Sequence, residues 1–172
     1  MSLKEKFKDN PKIYVLRILF TTITLLWMGL IFFFSSQNGE SSGGLSSVFV
    51  DFFVNLFHRD FGSLDLSKQE SILNIWGLLI RKGAHFTIFG ILGTLIFFTL
   101  GSYGVRKYIY VYGVLGTFIY AISDELHQKF VSGRAGMFTD VMIDTAGSIV
   151  FLLIIFLIVT LVERHKNKLS TR

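Results

Sequence analysis

Between two long apolar runs, Tyr108 to Ile122 and Val141 to Val162, the chain places Asp124, Glu125, His127 and Gln128, then Gly133 and Arg134, then Asp140 and Asp144. On a helix, Asp124 and Gln128 share a face at i, i+4, and Glu125 adjoins Gln128 at i+3. Asp140 and Asp144 repeat the i, i+4 spacing and point one way. Gly133 permits a turn, Arg134 follows with several carboxylates in reach, and Thr139 is placed to cap the last helix. A guanidinium forks to a carboxylate or a phosphate. A carboxylate pair whose environments separate their pKa values can act as acid and base. The same residues can instead form a buried polar network tying two helices together, with Asp144 paired to Arg134 or to His85. Either way the cluster sits where a bilayer should begin. A charge at mid-membrane costs roughly 2.5–3.5 kcal/mol or more unless it is paired or wetted.

His85 lies on the first turn of another apolar run, just after Arg81 and Lys82. Facing acidic residues it would shuttle protons; alone at a membrane boundary it is hydrogen-bonding filler. His127 falls on the helix side opposite Glu125 and is expected to be exposed. Ser35 and Ser36 have no Gly-x-Ser-x-Gly or Ser-x-x-Lys context, so they read as helix termination and site lining. A metal held by His85 with Asp124, Glu125, Asp140 or Asp144 is conceivable, yet no spacing specifies one. The candidate chemistry therefore falls to Glu125, Asp124 and His85. Arg134, Gln128, Asp140, Asp144, Arg81, Lys82 and Ser36 are candidates for ligand binding. No metal and no cofactor is assigned.

The elements that must position these residues are membrane spans. Mean hydropathy is +0.56, with 51% hydrophobic and only 17% charged residues. A soluble domain carries nearer a quarter charged. Phe fills 19 positions and Pro one, the profile of a small integral membrane protein. The length allows a single domain, residues 1–172. With no cysteine, disulfides and thiolate metal sites are excluded. Four segments are expected to span: about 13–34, 84–100 with an N-terminal extension, 108–123 with its helix continuing past Ser123, and 141–162. The first is too long for a signal peptide and lacks a cleavage site. The net charge of +5 reads as topology signal rather than nucleic-acid contact. Lys4, Lys6, Lys8 and Lys12, then Arg106 and Lys107, then Arg164, Lys166, Lys168 and Arg172 mark one side densely. That side should be cytoplasmic, with both termini inside. Ser36, His85, the end of span three and the start of span four then reach one outer face, where four helices can build one site.

The long first outer loop has its own pattern. Ser35 to Gly44 is rich in Ser and Gly and reads as a turn. From Leu45 to Phe57, Val48, Phe49, Phe52, Phe53, Leu56 and Phe57 recur at helical spacing, with Asp51 and Asn55 on the other side. That predicts a helix lying on the membrane, not through it. Ser67-Lys68-Gln69-Glu70 has the form of a capping box, so a helix should start near Ser67 and run into span two. Gly90, Gly93, Gly113, Gly116 and Gly147 mark close helix contacts. The fold class is thus an all-α four-helix transmembrane bundle with one additional interfacial helix.

Ser35-Ser36-Gln37, Arg81-Lys82-Gly83-Ala84-His85-Phe86, the run Asp124-Glu125-x-x-Gln128-x-Phe130-x-x-Gly133-Arg134, and Asp140-x-x-x-Asp144-x-x-Gly147 together resemble the VanZ-like family of bacterial membrane proteins. The resemblance extends from about Phe32 to the end of span four. Its first-named member is associated with low-level resistance to teicoplanin, so the resemblance implies a cell-envelope role and supplies no reaction. Family members often carry Pro at the position of Ser132, Glu-Tyr at Ile88-Phe89, and Asn at Asp144. The expectation is a multi-pass protein of the bacterial cytoplasmic membrane that contributes to glycopeptide tolerance. It would bind a membrane lipid, a lipid-linked cell-wall precursor or the glycopeptide itself at its outer face. The alternative is a membrane-embedded hydrolase or transferase acting on a lipid-linked envelope substrate.

Overall fold

A computed structural model describes residues 11–37, 39–134 and 136–170, with backbone alone for 39–46 and 170. The basic residues Lys4, Lys6, Lys8 and Arg172 lie outside that range. Five α-helices follow one another: α1 (Pro11–Ser35), α2 (Gly39–Phe57), α3 (Leu66–Ser102), α4 (Ile109–Gln128) and α5 (Phe138–Ser170). A single 3-10 turn, Phe61–Ser63, leads into α3. Among the described residues there is no strand.

Three helices, α1, α3 and α5, are long and apolar enough to cross a membrane. In their most apolar stretches only 17%, 22% and 22% is buried within the protein, so most of each apolar surface must meet something other than this chain. Helix α4 spans 20 residues but ends in Asp124, Glu125, His127 and Gln128, which dilute its apolar character. It nonetheless packs against both α3 and α5. The expected continuation past Ser123 is present. Helix α3 is one unbroken element of 37 residues, about 55 Å at 1.5 Å per residue. A hydrocarbon core is about 30 Å thick, so the extension anticipated before Ala84 is longer than any bilayer crossing needs.

Small residues set the helix spacing. A side chain at Gly147 would collide with the Phe86 carbonyl, and one at Gly93 with Ser148 and Thr117, so α3, α4 and α5 meet at backbone distance. Between them sits a core of Ile31, Phe89, Leu92, Ala121 and Val141. Helix α1 is tied on by polar bonds. The Trp27 indole donates to the Ile88 carbonyl at 3.0 Å, the Tyr120 hydroxyl to the Met28 carbonyl at 2.6 Å, and Arg17 to the Ser102 carbonyl at 3.0 Å. After α3, the N–H of Val105 reaches the Leu100 carbonyl and that of Gly104 (φ +85°) reaches Gly101, which reverses the chain tightly into α4.

Two local expectations are corrected, the turn at Ser35 to Gly44 and the helix start at Ser67. The Ser/Gly-rich stretch is not a turn throughout: from Gly39 it is helix, continuous with the packed segment around Val50 and Val54. Helix α2 buries Val50 and Val54, and the half-buried Phe53 stacks its ring on Trp76 at 5.1 Å. Val48, Phe49, Phe52 and Leu56 are exposed. Helix α3 has Asp65, not Ser67, at its N-cap, with no side-chain cap bond. Gln69 instead bonds back to the Leu64 carbonyl at 2.8 Å, so the Ser67 to Glu70 motif lies inside the first turn.

Candidate functional site

One end of the bundle collects the polar residues. The C-terminal ends of α1 and α4, the start of α5 and the Arg81–His85 turn of α3 converge there. Asp124 and Gln128 stack as their spacing requires, Gln128 donating to Asp124 Oδ2 at 2.8 Å. Ser35, buried at the last turn of α1, donates to the same oxygen at 2.8 Å. Ser36 turns the other way, to the outside. Its hydroxyl reaches the Phe32 carbonyl at 2.7 Å and His127 Nε2 at 3.2 Å, and it lines no part of the cavity described below. Of the two serines expected to line the site, Ser35 does so and Ser36, the one named for binding, does not. His127 is half-buried rather than exposed, because its ring stacks on Phe32 at 4.3 Å.

The turn between α4 and α5 is built on two features. Gly133 adopts φ +76°, a conformation costly for any residue with a Cβ. Glu125, buried at the end of α4, accepts the N–H of Met137 at 2.8 Å just before α5 begins. A carboxylate at a helix N-terminus satisfies an unpaired donor and faces the positive end of the dipole. Glu125 performs the capping expected of Thr139. Arg134 does not fork to a carboxylate. Its Nε and Nη2 donate to the carbonyls of Gln37 (3.0 Å) and Phe34 (3.1 Å), at the C-terminal end of α1. The reason is local: carbonyls of a last helical turn lack helical donors and form the negative end of the dipole. Burial lowers the Arg134 pKa, and nearby Arg81 pushes the same way, while the charges of Asp124 and Glu125 oppose them.

Across the cavity, Lys82 and Asp140 form an ion pair at 2.7 Å, both about a quarter exposed. His85 Nδ1 lies 3.6 Å from Asp144 Oδ1, so Asp144 faces His85, one of its two foreseen partners. Phe89, where the VanZ-like resemblance implies a polar residue, lies fully buried with its ring stacked on His85 at 6.2 Å.

Two cavities meet at this end. The first, about 240 Å³, is polar and is lined by Arg81, Lys82 and His85 of α3, Gln128 of α4, Gly133, Arg134 and Met137 of the turn, and Asp140, Ile143 and Asp144 of α5. The second, about 760 Å³, is apolar and runs between α1, α2 and α3 past Ile31, Phe34, Phe49, Leu73, Leu78, Ile88 and Phe89. Arg81, His85 and Arg134 belong to both. Asp124 and Glu125 stand behind the polar cavity rather than on its wall. The groove was not anticipated, because the run from Ile72 to Ile80 reads only as helix; its cue was an apolar stretch ending on Arg81. Among the described residues, no group of three or more His, Cys, Asp or Glu side chains is disposed to hold a metal ion.

The fold and site define a helical protein with membrane-crossing elements and an amphipathic pocket at one end of its bundle. The VanZ/LLP1 family model matches residues 20–159, most of the chain, and the chain belongs to that family. No curated protein and no solved structure matches it.

Proposed function

We propose that this protein is a four-span envelope membrane protein that binds the anionic headgroup of a lipid at the outer leaflet. Helix α4 is the remaining span, both termini are cytoplasmic, and the exposed Phe49, Phe52 and Leu56 of α2 rest in the membrane interface. One observation carries the reading: the polar cavity and the apolar groove share Arg81, His85 and Arg134 in their walls. A charged pocket beside a greasy groove suits a ligand that is polar at one end and hydrocarbon at the other. Arg81 and Arg134 supply guanidinium groups for a phosphate. A lipid-linked cell-wall precursor and a lipophilic glycopeptide share that amphipathic character. Family membership, with the teicoplanin association that the resemblance implies, supports extending the role to glycopeptide tolerance.

The test uses Arg81→Gln, since Arg81 is exposed and its loss leaves no internal bond broken. Cells expressing wild type, Arg81→Gln or an empty vector at matched membrane abundance are compared for teicoplanin susceptibility. The purified proteins are analysed for copurifying lipid by mass spectrometry. Wild type should protect and retain phospholipid, and Arg81→Gln should lose most of both. No protection above the vector would end the tolerance reading, and equal lipid retention by the variant would end the pocket's role.

A further inference from the structure

The polar cavity has two unlike walls. At its mouth Arg81 is exposed and has no hydrogen-bond or ion-pair partner among the described residues. Arg134 stands beside it, engaged to backbone through Nε and Nη2. On the inner wall Asp144 is 0% exposed, and neither of its oxygens accepts a hydrogen bond. His85 Nδ1, at 3.6 Å, stands at ion-pair distance and just beyond hydrogen-bond reach, and Asp144 Oδ2 has no partner at all.

The other side chains around Asp144 make their bonds elsewhere. Lys82 pairs with Asp140, Gln128 with Asp124, the Met137 N–H with Glu125, and Arg134 with α1. A buried carboxylate whose oxygens accept no hydrogen bond is unfavourable, and the cavity beside it gives a further donor room to enter. A phosphate cannot be that donor, because it offers only acceptors and Asp144 repels it. A ligand satisfying both walls therefore carries its anion toward the arginines and a cationic N–H group toward Asp144. The volume of about 240 Å³ equals that of roughly eight waters, room for a phosphate with a short amine arm.

We propose that the inner end of the cavity is an ammonium subsite. There Asp144, beside His85, receives the primary amine of a phospholipid headgroup whose phosphate rests on Arg81 and Arg134. The hydrocarbon chains lie in the groove along Phe34, Leu78 and Ile88. This rests on the phosphate-binding part of the headgroup reading above and redirects it to phospholipids whose headgroup pairs the phosphate with an amine.

The experiment titrates the full-length detergent-solubilised protein with three short-chain lipids by native mass spectrometry. Phosphatidylethanolamine carries a primary ammonium, phosphatidylcholine a quaternary one without N–H, and phosphatidylglycerol hydroxyls and a net negative charge. Wild type should bind the ethanolamine lipid about ten-fold tighter than either of the others. Asp144→Asn should erase that preference while phosphatidylglycerol still binds. Equal binding of the ethanolamine and choline lipids overturns the subsite, because the acceptor oxygens then play no part. Phosphatidylglycerol binding as well as or better than the ethanolamine lipid also overturns it, and leaves the broader headgroup reading standing. Failure of all three to bind overturns both. If Asp144→Asn does not fold, the wild-type lipid series decides alone.

Discussion

Arg134 caps the carbonyl end of α1 from a loop almost a hundred residues away in sequence. Its position after a glycine turn was legible, and so was its value near acids. Its target was not, because the ends of α1 and of the α4–α5 turn become neighbours only when the helices assemble. Hydrogen bonds to a charged group contribute about 1.5–3 kcal/mol each when shielded, and the Phe34 bond is exposed, so it belongs at or below the low end. Arg134→Ala should lower the thermal midpoint in detergent by several degrees. Arg134→Lys should recover only part of the loss, since an ammonium cannot reach both carbonyls in the same fork. A wild-type midpoint for Arg134→Ala would show the cap to be energetically idle. The Asp124–Gln128 bond lies within one helix turn and could be read from i, i+4 spacing. Ser35 as its third member could not, since Ser35 and Ser36 differ only in which way α1 is rotated.

At the level of elements, glycines turned out to be the most legible positions. Gly90, Gly93, Gly113, Gly116 and Gly147 were expected at helix contacts, and a Cβ at each would press on an atom of a neighbouring helix. Gly147 is the tightest case, because what it would strike is the Phe86 backbone, which cannot rotate away. Gly147→Ala should force α3 and α5 apart and cost about 1–3 kcal/mol. It should also disturb the cavity one turn further on, where His85 faces Asp144. Gly29 in α1 has open space around it, and Gly29→Ala should be neutral or slightly stabilising, because alanine is the better helix former. Thermal midpoints of the two variants check this; equal losses would mean that spacing between helices is not what Gly147 provides. Helix starts were less legible. The Ser67–Glu70 pattern and Thr139 both fit capping rules, but Asp65 and the distant Glu125 hold those positions instead. The Glu125 cap is a contact between elements, which a local rule cannot register.

For the whole molecule, the proposed orientation rests on the distribution of Lys and Arg. The chain has no cysteine, so introduced thiols can be read without background. Ser63→Cys and Ser132→Cys, in the connections after α2 and after α4, should label with an impermeant thiol reagent in intact cells, and Ser170→Cys should label only after permeabilisation. Labelling of Ser170→Cys alone in intact cells would invert the topology. Composition, long apolar runs and small-residue spacing determined a helical membrane protein and brought Asp124, Gln128, Asp140 and Asp144 into view. These are local or periodic properties that every stretch of chain carries by itself. Helix rotation and tertiary contact decided the rest: that Ser35 rather than Ser36 faces inward, that Arg134 meets carbonyls, that Asp144 is buried beside His85, and that a greasy groove lies against the charged pocket. Each of these depends on which faces of separate helices meet, and that is set by packing all five together.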